Sequence, residues 1–478
     1  MKKQHTSSIS HSDLAKRLIQ LMVRSILFMS ILSALLTACD SFTEVPLPSS
    51  QLTAPDVFED KGTANAAMAD IYSKIRDRGL LTGYSPGLSC QLGLYADELD
   101  YYGLSGTTSS NFYSNTLLAS DPEITKMWTV SYSQIYAANA VAEGAAKSAG
   151  LSVIDREQLT GEALFVRALL HFYLANCFGA VPYITTTEYR QNTSVQRLAA
   201  PEVYDRIKAD LEQAVTLLPE QYIGEGRVRP NKWAAQAMLA RVCLYMGQWD
   251  EASNAASAVL NQTELYQWPA GLDDVFGKDS LSAIWQLMPA TAGANTYEGG
   301  TFIFILGPPP AVAITENLMN GFSNDDLRKS QWIRTVSNSG STWYHAYKYK
   351  QKFNTGISAE YSVVLRLAEQ YLIRAEARAH AGDLIGAKED LNKTRNLAGL
   401  GNTNAVTADE IIAAVMQERR LEFFTEFGHR FFDLKRTAKL NEVLSPLKPQ
   451  WSATDRLLPI PESELLLNTN LLPQNAGY

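Results

Sequence analysis

Apolar residues recur along most of this chain with the period of a helix. Between Pro201 and Pro219, Val203, Ile207, Leu211, Ala214 and Leu218 follow one another at steps of 4, 4, 3 and 4, which puts them on one face. Pro201 suits the start of that helix and Pro219 stops it. The run GEALFVRALLHFYLANCFGAVP at 161–182 is apolar almost all round. That predicts a helix buried on several sides, ended by Gly179 and Pro182. In NKWAAQAMLARVCLYMGQWDEASNAASAVL, two apolar helices flank the turn Met246-Gly247-Gln248. A second pair, LAEQYLIRAEARAHAGDLIGAKEDLNKTR, turns at Gly382. A further helix over 408–427 opens with Thr407-x-x-Glu410, a capping box, and runs on into ERRLEFFTEFGHRFFDLKR.

The two pairs resemble tetratricopeptide units. Leu239, Ala240, Gly247, Ala252 and Ala256 stand at the matching offsets in the first, and Ala375, Gly382, Ala387 and Leu391 in the second. Their turn glycines lie far apart in the chain, so the pairs are no simple tandem array. Between them, about 263–360, helical spacing fades. Gly, Pro and aromatic residues take over, with GPPP at 307–310 and STWYHAYKYKQKF at 341–353. This predicts long loops and a few short strands, TFIFIL at 301–306 among them. A similar stretch runs from Gly79 to Thr116. Loops of this length in a helical body are more often functional than accidental.

The chain opens differently. Ile26 to Leu36 is apolar and follows Lys16, Arg17 and Arg24. It is far shorter than the roughly 20 residues a spanning helix needs, and reads as a secretory signal. Leu36-Thr37-Ala38-Cys39 looks like a bacterial lipobox, whose cysteine is acylated and becomes the new N-terminus. Two or three acyl chains anchor stably where one does not. The Pro/Ser-rich stretch after Cys39 suits a tether.

The leader carries five of the 42 Lys and Arg and one of the 50 Asp and Glu, so residues 39–478 have a net charge near −12. With no basic block or stripe, nucleic acid is excluded as a natural partner. Besides Cys39 there are Cys90, Cys177 and Cys243, enough for one disulfide at most. Cys177 and Cys243 lie in apolar helical runs and read as small buried hydrophobes.

Catalytic motifs are scarce: HExxH and phosphate-loop patterns do not occur, and GxSxG occurs once, as GYSPG at 83–87. Glu418, Glu422, Glu426, His429, Arg430, Asp433 and Arg436 could pass for an acid/base cluster. Set among Phe423, Phe424, Phe427, Phe431 and Phe432, the charges instead predict buried structural ion pairs, with Glu418, Arg430, Asp433 and Arg436 as members. Asp97, Glu98 and Asp100 are the candidates for a calcium site or for glycosidase carboxylates. Aromatic side chains in Gly/Ser/Thr-rich surroundings are candidate platforms for the apolar faces of sugar rings. Tyr101, Tyr102 and Trp343 lead, with Tyr297 and Trp332 next; Tyr113, Tyr344 and Tyr347 lie in the same segments. Trp128, Trp233, Trp249 and Trp285 fall in apolar periodic runs and are assigned to the core.

Seven segments in one order carry a family resemblance: CDSFTEVPLPSSQLTAPDVFED, ANAAMADIY, WTVSYSQIYAANAV, GEALFVRALLHFYLANCFGAVP, VLRLAEQYLIRAEARAHAGD, ERRLEFFTEFGHRFFDLKR and LPIPESELLLNTNLLPQNAGY. Together they resemble the SusD/RagB group of outer-membrane lipoproteins from Bacteroidetes. The resemblance implies a mostly α-helical body built on tetratricopeptide-type pairs, with a loop-rich ligand-binding face and a few short strands. It divides the chain into a signal peptide (1–38), a lipidated tether (39–60), an N-terminal helical region (61–225), a helix pair (226–262) and a C-terminal region (263–478). It implies a non-enzymatic, cofactor-free protein on the cell surface that captures oligosaccharide or peptide and delivers it to a SusC-like TonB-dependent transporter. The alternative is a surface-anchored, all-helical glycoside hydrolase.

Replacing Cys39 by Ala is expected to abolish acylation and leave the protein unanchored or uncleaved. Labelling cells with radioactive palmitate measures this; label persisting in the variant would refute the lipobox.

Overall fold

The computed structural model describes residues 54–478, together with helical stretches at 15–16, 18–26 and residue 29. Cys39, the rest of the lipobox and most of the tether lie outside the described residues. No helix among the described residues is long and apolar enough to cross a membrane.

Helices α1 (Lys61–Asp77) and α2 (Leu88–Tyr95) come first, then the short strand β1 (Leu99–Tyr101). Three long helices follow: α3 (Pro122–Lys147), α4 (Val153–Phe178) and α5 (Ala200–Leu217). Asp60 caps α1 by accepting from the Gly62 and Thr63 amides, and Ser152 caps α4 by accepting from Asp155. The apolar run of α4 is buried along nearly its whole length, because α3 and α5 pack on either side of it. On α5, Val203, Ile207, Leu211 and Ala214 form the buried stripe.

The first helix pair is α6 (Lys232–Tyr245) with α7 (Trp249–Leu260). The second is α9 (Leu367–His380) with α10 (Leu384–Leu397); α8 is the short helix Tyr297–Phe302 between them. Each pair turns on a glycine with positive φ, Gly247 at 70° and Gly382 at 86°, a backbone most side chains resist. The pairs are remote in sequence yet adjacent in space. Helix α7 packs on α9, with Trp249 stacked 3.9 Å from His380 and Arg374 donating to Ser257 at 3.2 Å. The intervening segment is thus an insertion into one helical stack. Trp249 is half-buried at that seam, while Trp128, Trp233 and Trp285 are core residues. Cys90, Cys177 and Cys243 are free and buried.

The insertion supplies most of the β structure. Strand β2 (Ala283–Leu287) pairs antiparallel with β6 (Ser362–Arg366). A second antiparallel sheet has the order β1-β3-β5-β4, with β3 at Val312–Ile314, β4 at Ile333–Asn338 and β5 at Ser341–Ala346. TFIFIL is not a strand. Thr301 and Phe302 close α8, and Ile305 and Leu306 stand 76% and 74% exposed on the loop beyond. That loop pairs with no strand, so β-branched residues alone do not make it one.

The helix expected over 408–427 stops at Glu422 (α11, Ala408–Glu422), with its Thr407/Glu410 capping box in place. Thr425 and Phe427 then take positive φ values of 57° and 43°, and α12 (His429–Arg436) starts in a new direction. This break lets charges on both helices converge in the core. The Glu422 carboxylate accepts from Arg328 at 2.9 Å and Arg366 at 2.6 Å. Arg328 also reaches Glu418 at 2.6 Å and Asp326 at 2.8 Å, and Arg366 grips Glu426. Asp433 bridges Arg419 and Arg436, each at 2.8 Å, and Arg436 also pairs with Glu376. Arg430 binds Asp97 at 2.7 and 2.9 Å. Glu418, Arg430, Asp433 and Arg436 thus each stand in an ion pair, in three separate sets of charges, with Glu418 and Asp433 buried and Arg430 and Arg436 half-buried; His429 is buried against Phe423.

Removing one partner of a buried pair costs about 3–5 kcal/mol, against a typical total of about 5–15. Asp433→Ala is therefore expected to lower the melting temperature and the soluble yield sharply. Burial raises the carboxyls of Asp97 and Asp433, but the neighbouring guanidinia outweigh it and hold both below the ordinary value. A depressed folded-state pKa means stability that is present above the unfolded value of about 4 and lost as pH falls below it. Melting temperatures recorded from pH 7 down to pH 3 should fall most steeply below about pH 4, and Asp433→Asn should flatten that fall.

Candidate functional site

The four-stranded sheet brings together aromatic residues from distant parts of the chain. Tyr101 pairs with Val312 across β1 and β3, and the Tyr102 amide donates to Ala311 at 2.7 Å. On β5, Trp343 stands opposite Val336 of β4, beside Tyr344, which pairs with Ile314. This brings the Tyr102 hydroxyl close to the Trp343 side chain. Burial and the nearby Asp100 charge raise the Tyr102 phenol, and the adjacent Trp343 indole opposes them. Tyr102 is 41% exposed and Trp343 half-buried. One side of the indole is covered by the chain itself: a Cβ on Gly307 would lie 2.1 Å from the ring, so only glycine lets this loop lie flat there. Asn338 holds the loop by donating to the Gly307 carbonyl at 2.7 Å.

Tyr101 is an anchor. Its hydroxyl binds Thr107 at 2.8 Å and the Leu104 carbonyl at 3.0 Å, closing the turn after β1. Tyr113 donates to Asp100 at 3.2 Å, and burial with that carboxylate pushes its phenol up to about 12. Lys448 lies 4.2 Å over the Tyr113 ring.

Tyr297 belongs to a second cluster that the sequence reading missed in part. It stacks on Tyr84 with centroids 3.8 Å apart and planes 17° off parallel. Tyr84 is 46% exposed and sits in LTGYSPG, the same kind of Gly/Ser-rich setting that singled out Tyr102. The Tyr297 hydroxyl donates to Asp77 at 2.8 Å, and Arg76 clamps the same carboxylate through two bonds of 2.7 Å. Arg76 holds the Asp77 carboxyl below its usual range, against the effect of burial. Beside Tyr84 opens a cleft of about 530 Å³ lined by Asp77, Ser85, Glu123 and Lys126 among others. The next residue, Glu298, is buried, accepts from Ser362 at 2.5 Å and is pushed up to about 7 by burial. Its carboxylate fills the space a side chain on Gly83 would need. The loop from α8 to Gly307 joins the two clusters and carries the exposed Ile305 and Leu306.

Trp332 is not on this face. It is 0% exposed, donates to the Leu272 carbonyl at 3.2 Å and packs edge-on against Phe276. Its polar sequence neighbours gave no sign that the short helix Leu327–Gln331 turns the indole into the core. Asp97, Glu98 and Asp100 do not make a calcium cage. Asp97 is occupied by Arg430, Arg420 and Asn317. Glu98 is buried and pushed up to about 8 by burial and by Asp97. Asp100 serves Tyr113. Among the described residues no group of three His, Cys, Asp or Glu side chains is placed to hold a metal ion.

Comparison with known proteins gives this arrangement a context. Residues 98–244 match a SusD-like family model described as starch-binding and associating with the outer membrane, and residues 315–478 match the SusD family model. SusD-like protein P2 of Formosa agariphila is 27% identical, the alignment covering 94% of this chain and 98% of the relative. SusD-like protein P25 of the same organism is 23% identical over 92% and 97%. A SusD superfamily crystal structure from Bacteroides vulgatus superposes with a TM-score of 0.75 at 20% identity, covering 88% of this chain and 99% of that one. A laminarin-binding SusD-like protein superposes with a TM-score of 0.71 at 24% identity, over 87% and 99%. With two models of one family meeting both halves of a SusD-type helical stack, the chain belongs to the SusD/RagB family.

Proposed function

We propose that this protein captures oligosaccharide on its aromatic face and passes it to a SusC-like TonB-dependent transporter, held to the outer membrane by an acylated Cys39. The observation that carries the reading is the meeting of Tyr102 and Trp343 on one sheet, with the stacked Tyr84–Tyr297 pair joined to them by a single loop. Flat rings with polar neighbours match the apolar faces and hydroxyl rims of sugars. The laminarin-binding relative and the starch-binding description of the family model point to the same ligand class.

The hydrolase reading has less support. A retaining or inverting glycosidase needs two facing carboxylates, one of them with a raised pKa. Of the two that line the cleft beside Tyr84, Asp77 is held down by Arg76, and Glu123 is paired with Lys126 at 2.7 Å.

Each ring face offers about 50–80 Å² of apolar area at roughly 25 cal/mol per Å². Two or three such contacts, less the cost of association, place the Kd in about the micromolar to millimolar range. Weak capture suits a protein that must release its cargo to a partner. Its tether keeps it near that partner at high effective concentration.

Calorimetric titration of the mature chain with laminarin oligosaccharides, backed by a glycan array and a peptide mixture, tests the reading. Tyr84→Ala and Tyr102→Ala are each expected to weaken binding about tenfold, the roughly 1.4 kcal/mol of one lost stacking contact, with melting temperatures unchanged. Retention without release of shorter products is expected. Cleaved products would favour the hydrolase; unchanged affinity in both folded variants would move the platform elsewhere.

A further inference from the structure

A second pocket, separate from the aromatic face, has a different chemistry. It is a cavity of about 520 Å³ between the C-terminal ends of α4 and α12 and the turn Ala453–Arg456. Lys435, Arg436 and Arg456 line it, and no carboxylate does. That is unusual in a chain with a net charge of −8. Arg436 is neutralised from behind by Glu376 and Asp433. Lys435 and Arg456 are not. Lys435 donates to the Asn176 carbonyl at 2.5 Å, in the last turn of α4, where the helix dipole favours a cation. That occupies one of its three ammonium protons. Arg456 makes no ion pair among the described residues, and the adjacent Asp455 spends its carboxylate on the Ser452 amide. Two cations therefore share one cavity without an anion. Burial, with Arg456 adding its repulsion, pushes the Lys435 ammonium down to about 8.

Helix capping accounts for Lys435 alone. It does not account for Arg456, nor for a roomy space kept between the two. The volume lies within the roughly 300–1,000 Å³ of small-molecule sites and exceeds what an inorganic ion fills. Its other walls are alanines, the rings of Tyr204 and Tyr245, and the Asn176 and Asn441 side chains. These offer apolar area to a ring and amide groups to its hydroxyls. We propose that this pocket binds the oxyanion of a small ring-shaped organic acid, a hexuronate in size and chemistry, with Lys435 and Arg456 as its charged contacts. It is a binding site distinct from the neutral aromatic face, and it gives the protein a means of sensing or selecting acidic sugars.

Titration calorimetry with galacturonate, galactose and inorganic sulfate decides this. Galacturonate should bind, galactose should not, and sulfate should compete. Arg456→Gln, at an exposed position, should leave the melting temperature unchanged and weaken galacturonate at least about tenfold, the scale of one lost charge-assisted hydrogen bond. Lys435→Met should abolish binding; if it fails to fold, Arg456→Gln carries the test alone. Loss of both galacturonate and sulfate in Arg456→Gln supports the site. Sulfate binding without galacturonate would reduce it to an inorganic-ion site and overturn the proposal. So would equal binding of galactose and galacturonate, no binding at all, or galacturonate affinity unchanged in the variant.

Discussion

Glu422 stands between two buried arginines, and much of the molecule is arranged around that contact. Arg366 closes β6 and leads directly into α9; Arg328 lies on the short helix before β4. One carboxylate at the end of α11 thus ties the helical stack to both sheets. Lys348 adds to it by donating to the Glu422 and Phe424 carbonyls, at 2.6 and 2.9 Å, and to Glu426. Such lattices need not add net stability over apolar packing, but a desolvated charge tolerates no shift that leaves it unpaired. Their effect is to fix position.

What they fix is the proposed ligand face. Trp343 lies five residues before Lys348 on the same segment, so the cation that grips the 422–426 turn also sets where β5 stands. Tyr102 lies five residues after Asp97, which Arg430 and Arg420 hold against α12 and α11. Both halves of the aromatic contact are therefore tethered to one stretch, 418–436, by opposite signs of charge. The loop character of their surroundings hides a rigid mounting, so the proposed binding would not have to order the site on each encounter.

The two proposed sites differ in chemistry. The aromatic face presents rings and amide or hydroxyl edges, suited to neutral sugars; the pocket behind α12 presents unpaired cations. The same helix serves both. Arg430 faces the sheet, Asp433 the core, and Lys435 and Arg436 the cationic pocket, as the 3.6-residue period distributes them.

The helices, their caps and the turn glycines were legible from the sequence, and so was the place of the charged-aromatic segment in the core. Each depends on residues three or four apart, or on one residue's backbone preference. The family order is likewise a linear pattern. The loops were not legible in the same way. Trp332 and Trp343 stand in similar polar company, yet one is sealed under Phe276 and the other reaches Tyr102. Tyr84 joins the cluster only by stacking on Tyr297, which the insertion supplies. The break at 423–428, the missing strand at 301–306 and the direct stacking of α7 on α9 were also decided in three dimensions. In each case the deciding contact joins residues far apart in the chain, and no local period records which of two exposed rings a distant loop will cover.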